Sequence, residues 1–246
     1  MLNIEKQTIQ LNGIPAILYG KPSRKMFLYI HGQGGSKEEA EAFSNIACRR
    51  GWQVLSIDLP EHGDRKSEKD AFNPWHVVPE LTMVMEFAKL KWKHISLFAN
   101  SIGAWFSMLS FGKEKLRRCL FVSPVLDMKQ LISKMMSWAD ISEDQLKREL
   151  VIPTSFGQTL SWEYWEYALM HPIVNWKAPT EILYGENDNM IDRDTIEQFT
   201  RRYDCTLTVM KDGEHRFHTD QQLAFMRKWI SKGLKDRQSA LMIQQR

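Results

Sequence analysis

FANSIGA, residues 98–104, is the stretch of this chain that decides its fold. An apolar run typical of a β-strand ends here, and a helical pattern begins directly afterwards. A strand that turns abruptly into a helix holds the residue at the turn in a strained and exposed conformation, and the small neighbours Ala99 and Gly103 let the two elements pass closely. A serine at such a turn has its oxygen above the sheet, with the N-terminus of the helix behind it to favour negative charge. Ser101 is therefore a candidate nucleophile.

Strand-type and helical segments alternate along most of the chain. Eight strands are predicted, at residues 5–11, 14–19, 26–30, 53–59, 95–99, 119–123, 181–184 and 206–210. Five longer helices are predicted, at residues 37–50, 75–91, 102–111, 192–203 and 217–232. Near-continuous apolar strands separated by helices indicate an α/β fold, with a parallel sheet covered by helices on both faces. Functional residues of such sheets lie in loops beyond the carboxyl ends of the strands.

Residues 127–172 interrupt this alternation, because no strand is predicted there between two strands of the sheet. The segment is rich in large side chains, and helical spacing is present at residues 146–150 and 162–169. We predict a helical cap at residues 127–172, above the strand ends, with residues 1–126 and 173–246 forming the core. Most of its aromatic side chains are expected to pack the cap onto the core. Trp138, Trp162 and Trp165 are predicted to line a substrate pocket.

The composition is that of an ordinary globular protein, with 43% hydrophobic and 26% charged residues in a chain of 246. No apolar run approaches the ~20 residues that span a bilayer, so no membrane partner is predicted. A net charge of +3 is too slight to indicate a nucleic-acid partner. The N-terminus lacks the pattern of a secretory signal, so a cytoplasmic location is expected. The oligomeric state is left open.

Two further compositional features favour a structural interpretation. The three cysteines, Cys48, Cys119 and Cys205, form no CxxC pair and indicate neither a disulfide framework nor a zinc site. Basic residues near the C-terminus are expected to form a solvated helix face rather than a binding patch; they are Arg227, Lys228, Lys232, Lys235, Arg237 and Arg246.

A glycine-rich segment, HGQGGSK at residues 31–37, follows the third predicted strand and is named here the glycine loop. A dinucleotide site would require a third glycine where Lys37 stands, and a phosphate loop would require a different glycine spacing. An oxyanion loop requires one N–H group, paired with the N–H after the nucleophile. This third alternative fits best and nominates the backbone amides of Gln33 and Ile102. His31 and Gly34 are predicted to border the substrate pocket.

Two later loops supply a carboxylate and an imidazole. Asp188 follows the strand predicted at 181–184, whereas Asp192 is better placed to cap the next helix. His215 lies on the loop after the last strand, and His218 lies one helical turn further on. A histidine can remove the proton of a serine near neutral pH, and a carboxylate on its other nitrogen fixes the tautomer. The chain order is Ser101, Asp188, His215, each after a different predicted strand.

With these residues identified, the chain resembles an α/β-hydrolase-fold serine hydrolase from about residue 14 to about residue 232. The matching segments are HGQG at 31–34, DLPEHG at 58–63, ANSIG at 99–103, GEND at 185–188 and GEH at 213–215. The resemblance implies an eight-stranded, mostly parallel sheet, a helical cap after the sixth strand, and no cofactor. Ala99 and Glu61 both stand where that family usually has glycine. The Glu61 carboxylate lines the mouth of the pocket and disfavours acidic substrates, or it points into solvent, as we expect.

The resemblance implies an esterase for small or medium carboxylic esters, with an apolar or aromatic group on the substrate. A thioesterase, an amidase or peptidase, an acyltransferase and a C–C bond hydrolase would use the same residues. A dehalogenase or an epoxide hydrolase would require an acidic nucleophile in place of Ser101. The alternatives from other classes are a non-catalytic, hydrolase-like binding protein and, less consistent with the glycine loop, a nucleotide-binding protein.

Overall fold

The structure, a computed structural model, describes residues 4–235. The outer limits predicted for the core, residues 1 and 246, lie outside this range, as do Arg237 and Arg246 of the basic segment. Among residues 4–235, none of the helices has the length and apolar character that crossing a bilayer requires.

The strands form one large sheet and a small hairpin. They are β1 (Lys6–Leu11), β2 (Ile14–Tyr19), β3 (Lys25–Ile30), β4 (Gln53–Ile57), β5 (His94–Asn100), β6 (Cys119–Val122), β7 (Val151–Pro153), β8 (Thr159–Ser161), β9 (Thr180–Gly185) and β10 (Thr206–Met210). The sheet has the order β1-β2-β4-β3-β5-β6-β9-β10. Strand β2 runs antiparallel to β1 and β4, and the other neighbours are parallel. The predicted eight-stranded, mostly parallel sheet is thereby confirmed.

Helices cover both faces of the sheet. They are α1 (Ala40–Ala47), α2 (Pro74–Lys91), α3 (Ile102–Phe111), α4 (Met128–Trp138), α5 (Glu143–Glu149), α6 (Trp162–Met170), α7 (Arg193–Arg202) and α8 (Asp220–Gly233). Successive residues of a strand point to opposite faces. In β3, Met26 and Leu28 join the apolar cluster under α2, α3 and α7, whereas Phe27 and Tyr29 join the cluster under α1 and α8. Both faces of this strand are therefore buried, which explains its continuous apolar sequence.

Strand β4 ends two residues before the predicted limit. The carboxylate of Asp58 is fully buried and accepts hydrogen bonds from the backbone N–H groups of Lys37 (2.8 Å) and Asp64 (2.9 Å). The ammonium group of Lys37 donates to the same carboxylate at 2.8 Å. These contacts turn the chain away from the sheet and fix the end of the glycine loop, at Lys37, against the loop after β4.

The cap segment, residues 127–172, contains α4, α5, β7, β8 and α6. The expectation of a purely helical segment was wrong, because β7 and β8 pair antiparallel. The turn between them is closed by Thr154, whose N–H and hydroxyl both donate to the Gln158 carbonyl, at 2.9 and 2.6 Å. Strands of three residues are too short to show the alternating pattern by which a strand is predicted.

Replacing Gly103 by alanine is expected to lower the free energy of unfolding by about 3 kcal/mol. A Cβ atom at this position would collide with the carbonyl oxygen of His31 and lie 2.9 Å from that of Ile30, because α3 crosses β3 at close range. Urea denaturation measures the change. Gly13→Ala is the matched control: its φ of +90° is strained for alanine, but nothing lies within 4 Å, so about 1 kcal/mol is expected. Equal losses in the two variants would contradict the steric explanation.

Candidate active site

Ser101 occupies the sharp turn between β5 and α3. Its backbone angles, φ 50° and ψ −123°, lie outside the regions that residues other than glycine ordinarily adopt. The conformation is held by hydrogen bonds on both sides: the Ser101 N–H donates to the Val122 carbonyl at 3.0 Å, and the Val125 N–H donates to the Ser101 carbonyl at 3.0 Å. Strain of this kind persists where the surroundings over-determine it. The serine hydroxyl is thereby aimed away from the sheet.

A chain of hydrogen bonds joins Ser101 to His215 and Asp188. The Ser101 Oγ lies 2.9 Å from Nε2 of His215, and Nδ1 of the same ring lies 2.7 Å from Oδ2 of Asp188. Asp188 is buried, and its Oδ1 accepts from the backbone N–H groups of Met190 and Ile191, each at 2.9 Å. The three side chains stand on loops after β5, β9 and β10, so the structure brings the three predicted catalytic residues together.

The alternative acid and base lie elsewhere. Asp192 directly precedes α7, at the capping position that the sequence predicts, but its side chain makes no capping hydrogen bond and instead contacts the Lys134 ammonium at 2.6 Å. His218 is 54% exposed, and its Nδ1 lies 3.1 Å from the Glu214 carboxylate. Neither residue contacts Ser101 or His215 in the described hydrogen-bond network.

Gln33 and Ile102, the two residues predicted to form the oxyanion site, line the same cavity as Ser101. Ile102 is the first residue of α3, so its N–H has no acceptor within the helix. Gln33 lies in the glycine loop, whose next residue, Gly34, donates its N–H to Nε2 of His62 at 2.9 Å. The oxyanion role of the two amides stays a prediction.

The side chain of His31 joins the glycine loop to the loop after β4. Its ring is fully buried, and Nε2 accepts from the Leu59 N–H at 3.0 Å. Nδ1 therefore carries the proton and donates to the Gly32 carbonyl at 2.7 Å. Burial lowers the pKa of His31 from 6.5 to about 4, so the ring is neutral in the folded protein. A second proton on Nε2 would remove the acceptor of Leu59 and loosen the loop.

The free energy of unfolding is expected to decrease as the pH is lowered, because of His31. The folded pKa is below the unfolded one, so the unfolded chain takes up a proton below pH 6.5 that the folded chain refuses until about pH 4. This single group removes up to about 3 kcal/mol of unfolding free energy over that window. We expect urea denaturation of His31→Gln to show a shallower loss between pH 7 and pH 4.5 than wild type. Identical pH slopes in the two proteins would contradict this assignment.

The cavity beside Ser101 has a volume of about 280 Å³ and lies between the core and the cap. Its apolar lining comes from Phe72, Ile102, Val125, Met128, Leu131, Ile132, Met135, Leu160, Tyr164 and Met190. Its polar lining comes from Gln33, Glu61, Ser101, Gln158, Thr159 and Ser161. Four of the apolar residues, from Met128 to Met135, recur at i, i+3, i+4 and i+7 on α4. That helical stripe was present in the sequence and would have identified one wall of the cavity.

None of the five residues predicted for the pocket lines this cavity. His31 is buried under the glycine loop, and Gly34 faces His62. On α6, Tyr164 lines the cavity, whereas Trp165, 3% exposed, is buried within the cap.

The other two predicted tryptophans pack elsewhere in the cap segment. Trp162 packs under the Lys147 ammonium, 5.3 Å from its ring. Trp138, 47% exposed, packs against Phe156 of the hairpin turn, with ring centroids 5.8 Å apart. The aromatic composition of the cap did not show which side chains face inward.

Glu61 does line the cavity, and the expectation that it points into solvent was wrong. Its backbone has a φ of +64°, the left-handed region that glycine adopts most easily. Its Oε1 accepts from the backbone N–H groups of Ala71 and Phe72, at 2.7 and 3.0 Å. The carboxylate thus joins the loop after β4 to the segment before α2.

The cap contacts both sides of the site. The side-chain amide of Gln33 donates to Oε1 of Gln158 at 3.1 Å, which joins the glycine loop to the hairpin. On the other side, Gln130 of α4 bonds to Thr195 of α7. Among residues 4–235, no group of three His, Cys, Asp or Glu side chains is arranged to hold a metal ion.

No protein-family model matches the chain, and no curated protein sequence does. Solved structures match it along nearly its whole length. Est1E from Butyrivibrio proteoclasticus has a TM-score of 0.73 at 17% identity, covering 93% of this chain and 97% of that chain. A mouse protein, alpha/beta hydrolase domain-containing protein 10, has a TM-score of 0.73 at 12% identity, with coverage of 93% and 97%. An esterase from Pyrococcus furiosus has a TM-score of 0.64 at 18% identity, with coverage of 94% and 88%. At these identities the likeness establishes a shared fold.

Proposed function

This chain has the α/β-hydrolase fold, and we propose that it is a serine hydrolase that cleaves a small or medium carboxylic ester. The observation that carries the proposal is the continuous hydrogen-bond chain from Ser101 through His215 to Asp188, at 2.9 and 2.7 Å. A non-catalytic binding protein has no need for a nucleophile, a base and a buried carboxylate in this order. The complete set favours an enzyme.

The proposed reaction has two stages. His215 Nε2 takes the hydroxyl proton of Ser101 as Oγ attacks the ester carbonyl carbon. The amides of Gln33 and Ile102 hold the resulting oxyanion, and the protonated His215 gives its proton to the departing alcohol. Water, deprotonated by His215, then attacks the acyl carbon, and the protonated His215 returns the proton to Ser101 Oγ as the bond to the acid breaks. Asp188 stabilises the imidazolium in both stages.

The cavity supports a largely apolar acyl group of limited size. A volume of about 280 Å³ with a lining of methionine, leucine and isoleucine side chains accommodates a short alkyl chain or an aromatic ring. Two of the similar structures are of an esterase from Pyrococcus furiosus, and another is a thioesterase domain from a curacin biosynthetic pathway. A thioesterase, an amidase or peptidase and an acyltransferase remain the alternatives, since the same three side chains serve them.

A fluorophosphonate probe tests the proposal directly, because it reacts with a serine whose base and oxyanion site are assembled. We expect stoichiometric labelling of the folded protein, with the adduct on the peptide that contains Ser101. A panel of 4-nitrophenyl esters, the matching thioesters and anilides then ranks the alternatives by kcat/KM. A folded protein that is neither labelled nor active on the panel would overturn the proposal in favour of a binding protein.

Replacing Asp188 by asparagine is expected to lower kcat roughly 10,000-fold. The amide oxygen still accepts from the N–H groups of Met190 and Ile191, so the NH₂ group is left facing Nδ1 of His215. Nδ1 must then act as acceptor, which places the ring proton on Nε2, where the base is needed. Ester hydrolysis measures the loss, and Asp192→Asn is the control. A larger loss in the control would transfer the acid role to Asp192.

A further inference from the structure

Glu61 lines the cavity, and its backbone conformation is unfavourable for a glutamate. Its φ of +64° suits glycine, and a glutamate there carries a conformational penalty. The conformation therefore does not explain the residue type. The explanation must come from the side chain, which lines the cavity together with Ser101.

One oxygen of the Glu61 carboxylate is used by the protein and the other is not. Oε1 accepts both backbone N–H groups, from Ala71 at 2.7 Å and from Phe72 at 3.0 Å. Oε2 has no hydrogen-bond or ion-pair partner among residues 4–235. It is also not one of the side-chain atoms in this range that are buried without a partner. The carboxylate is thus fixed at one oxygen and accessible at the other.

The remaining lining of the cavity does not neutralise this charge. Among the described residues that line it, Glu61 is the one with a charged side chain, and no lysine or arginine is present. Its neighbours across the cavity include Met128, Leu131 and Ile132, whose apolar side chains lower the local dielectric and lengthen the reach of a charge. Glu61 is therefore the charge among the described lining residues that a charged group of a substrate in the cavity would meet.

The geometry points to Glu61 as a specificity-determining residue that selects esters with a cationic group close to the cleaved bond and rejects anionic ones. The inference rests on the proposed function and adds the charge class of its substrate. An ammonium group in the cavity pairs with Oε2, whereas a carboxylate is repelled by it and finds no cation to replace its water. Neutral apolar esters are accepted between these two extremes.

Three 4-nitrophenyl esters with acyl chains of similar length test the inference. They are the esters of 4-(trimethylammonio)butanoate, which is cationic, of 5,5-dimethylhexanoate, its neutral isostere, and of glutarate, which is anionic. Wild type is expected to prefer the cationic to the anionic ester by at least about tenfold in kcat/KM. Glu61→Gln keeps an oxygen for Ala71 and Phe72 and removes the charge, so it is expected to reduce this ratio about tenfold.

Glu163→Gln is the matched control, because Glu163 is exposed on α6 and does not line the cavity. It should leave all three ratios as in wild type. If Glu61→Gln fails to fold, Glu61→Gly removes the same charge at a φ that glycine tolerates. Unchanged ratios in a folded, active Glu61 variant, or a wild type that prefers the anionic ester, would overturn the inference while the hydrolase stands. Absence of both labelling and ester cleavage would remove the proposed function, and this inference with it.

Discussion

Replacing Ser101 by alanine is expected to lower kcat for ester hydrolysis by roughly 10⁴- to 10⁶-fold, the range found when the nucleophile of a serine hydrolase is removed. The variant has no oxygen to form the acyl-enzyme, so the residual rate comes from water near His215 and from binding alone. The fold should be retained. Among the described residues, the Ser101 hydroxyl has its side-chain hydrogen bond with His215, and alanine meets the same backbone strain at φ 50° as serine does. Initial rates, circular dichroism and loss of probe labelling measure these effects together.

Ser123 offers a matched control for this experiment. It also follows a strand of the sheet, is buried, and has a positive φ, of 44°, but its hydroxyl has no hydrogen-bond partner among residues 4–235. Ser123→Ala is therefore expected to leave turnover within about twofold of wild type. Turnover by Ser101→Ala within tenfold of wild type would show that another group performs the attack.

The second large effect is expected at His215. Its removal in His215→Ala leaves the Ser101 proton without an acceptor and the Asp188 carboxylate without its partner. We expect kcat to fall by a similar factor, roughly 10⁴- to 10⁶-fold, because nucleophile and base act as one unit. Initial rates of ester hydrolysis measure the loss, and circular dichroism checks that the fold is retained.

His218→Ala separates this effect from a general loss of histidine near the site. His218 lies three residues further along the chain, exposed beside Glu214, and its ring faces solvent. Its variant should keep kcat within about twofold of wild type. A severe loss in His218→Ala, with a mild one in His215→Ala, would reassign the base.

The sheet and its carboxyl-end loops were predictable because they follow from local patterns. Apolar runs such as Met26 to Ile30 are buried on both faces. A short, continuous apolar run of this kind is typical of a central strand in a parallel sheet. The position of Ser101 followed from a strand meeting a helix without a loop. Asp188 and His215 could be distinguished from Asp192 and His218 by a rule of position alone: each lies on the turn directly after its strand.

The cavity was not predictable from composition, for a physical reason. Which side of a cap helix faces inward depends on how the cap docks, and that is decided by contacts distant in sequence, such as Gln33 with Gln158. Trp165 and Tyr164 are adjacent and both aromatic, yet one is buried within the cap and the other lines the cavity. The orientation of Glu61 was also beyond a local pattern, because its partners, Ala71 and Phe72, belong to a loop without regular structure.

The order of strands in the sheet has a consequence for the newly made protein. Ser101 and His215 are 114 residues apart, and His215 follows β10, the edge strand that pairs with β9. Chains emerge from the ribosome with the N-terminal part first, so the nucleophile is synthesised and able to fold well before its base exists. On the proposed mechanism, a nascent or prematurely terminated chain that lacks β10 and the loop after it has no base, so it is expected not to hydrolyse esters, however well its earlier strands are packed. Onset of ester hydrolysis during translation is therefore expected only after β10 and the loop that carries His215 have been made.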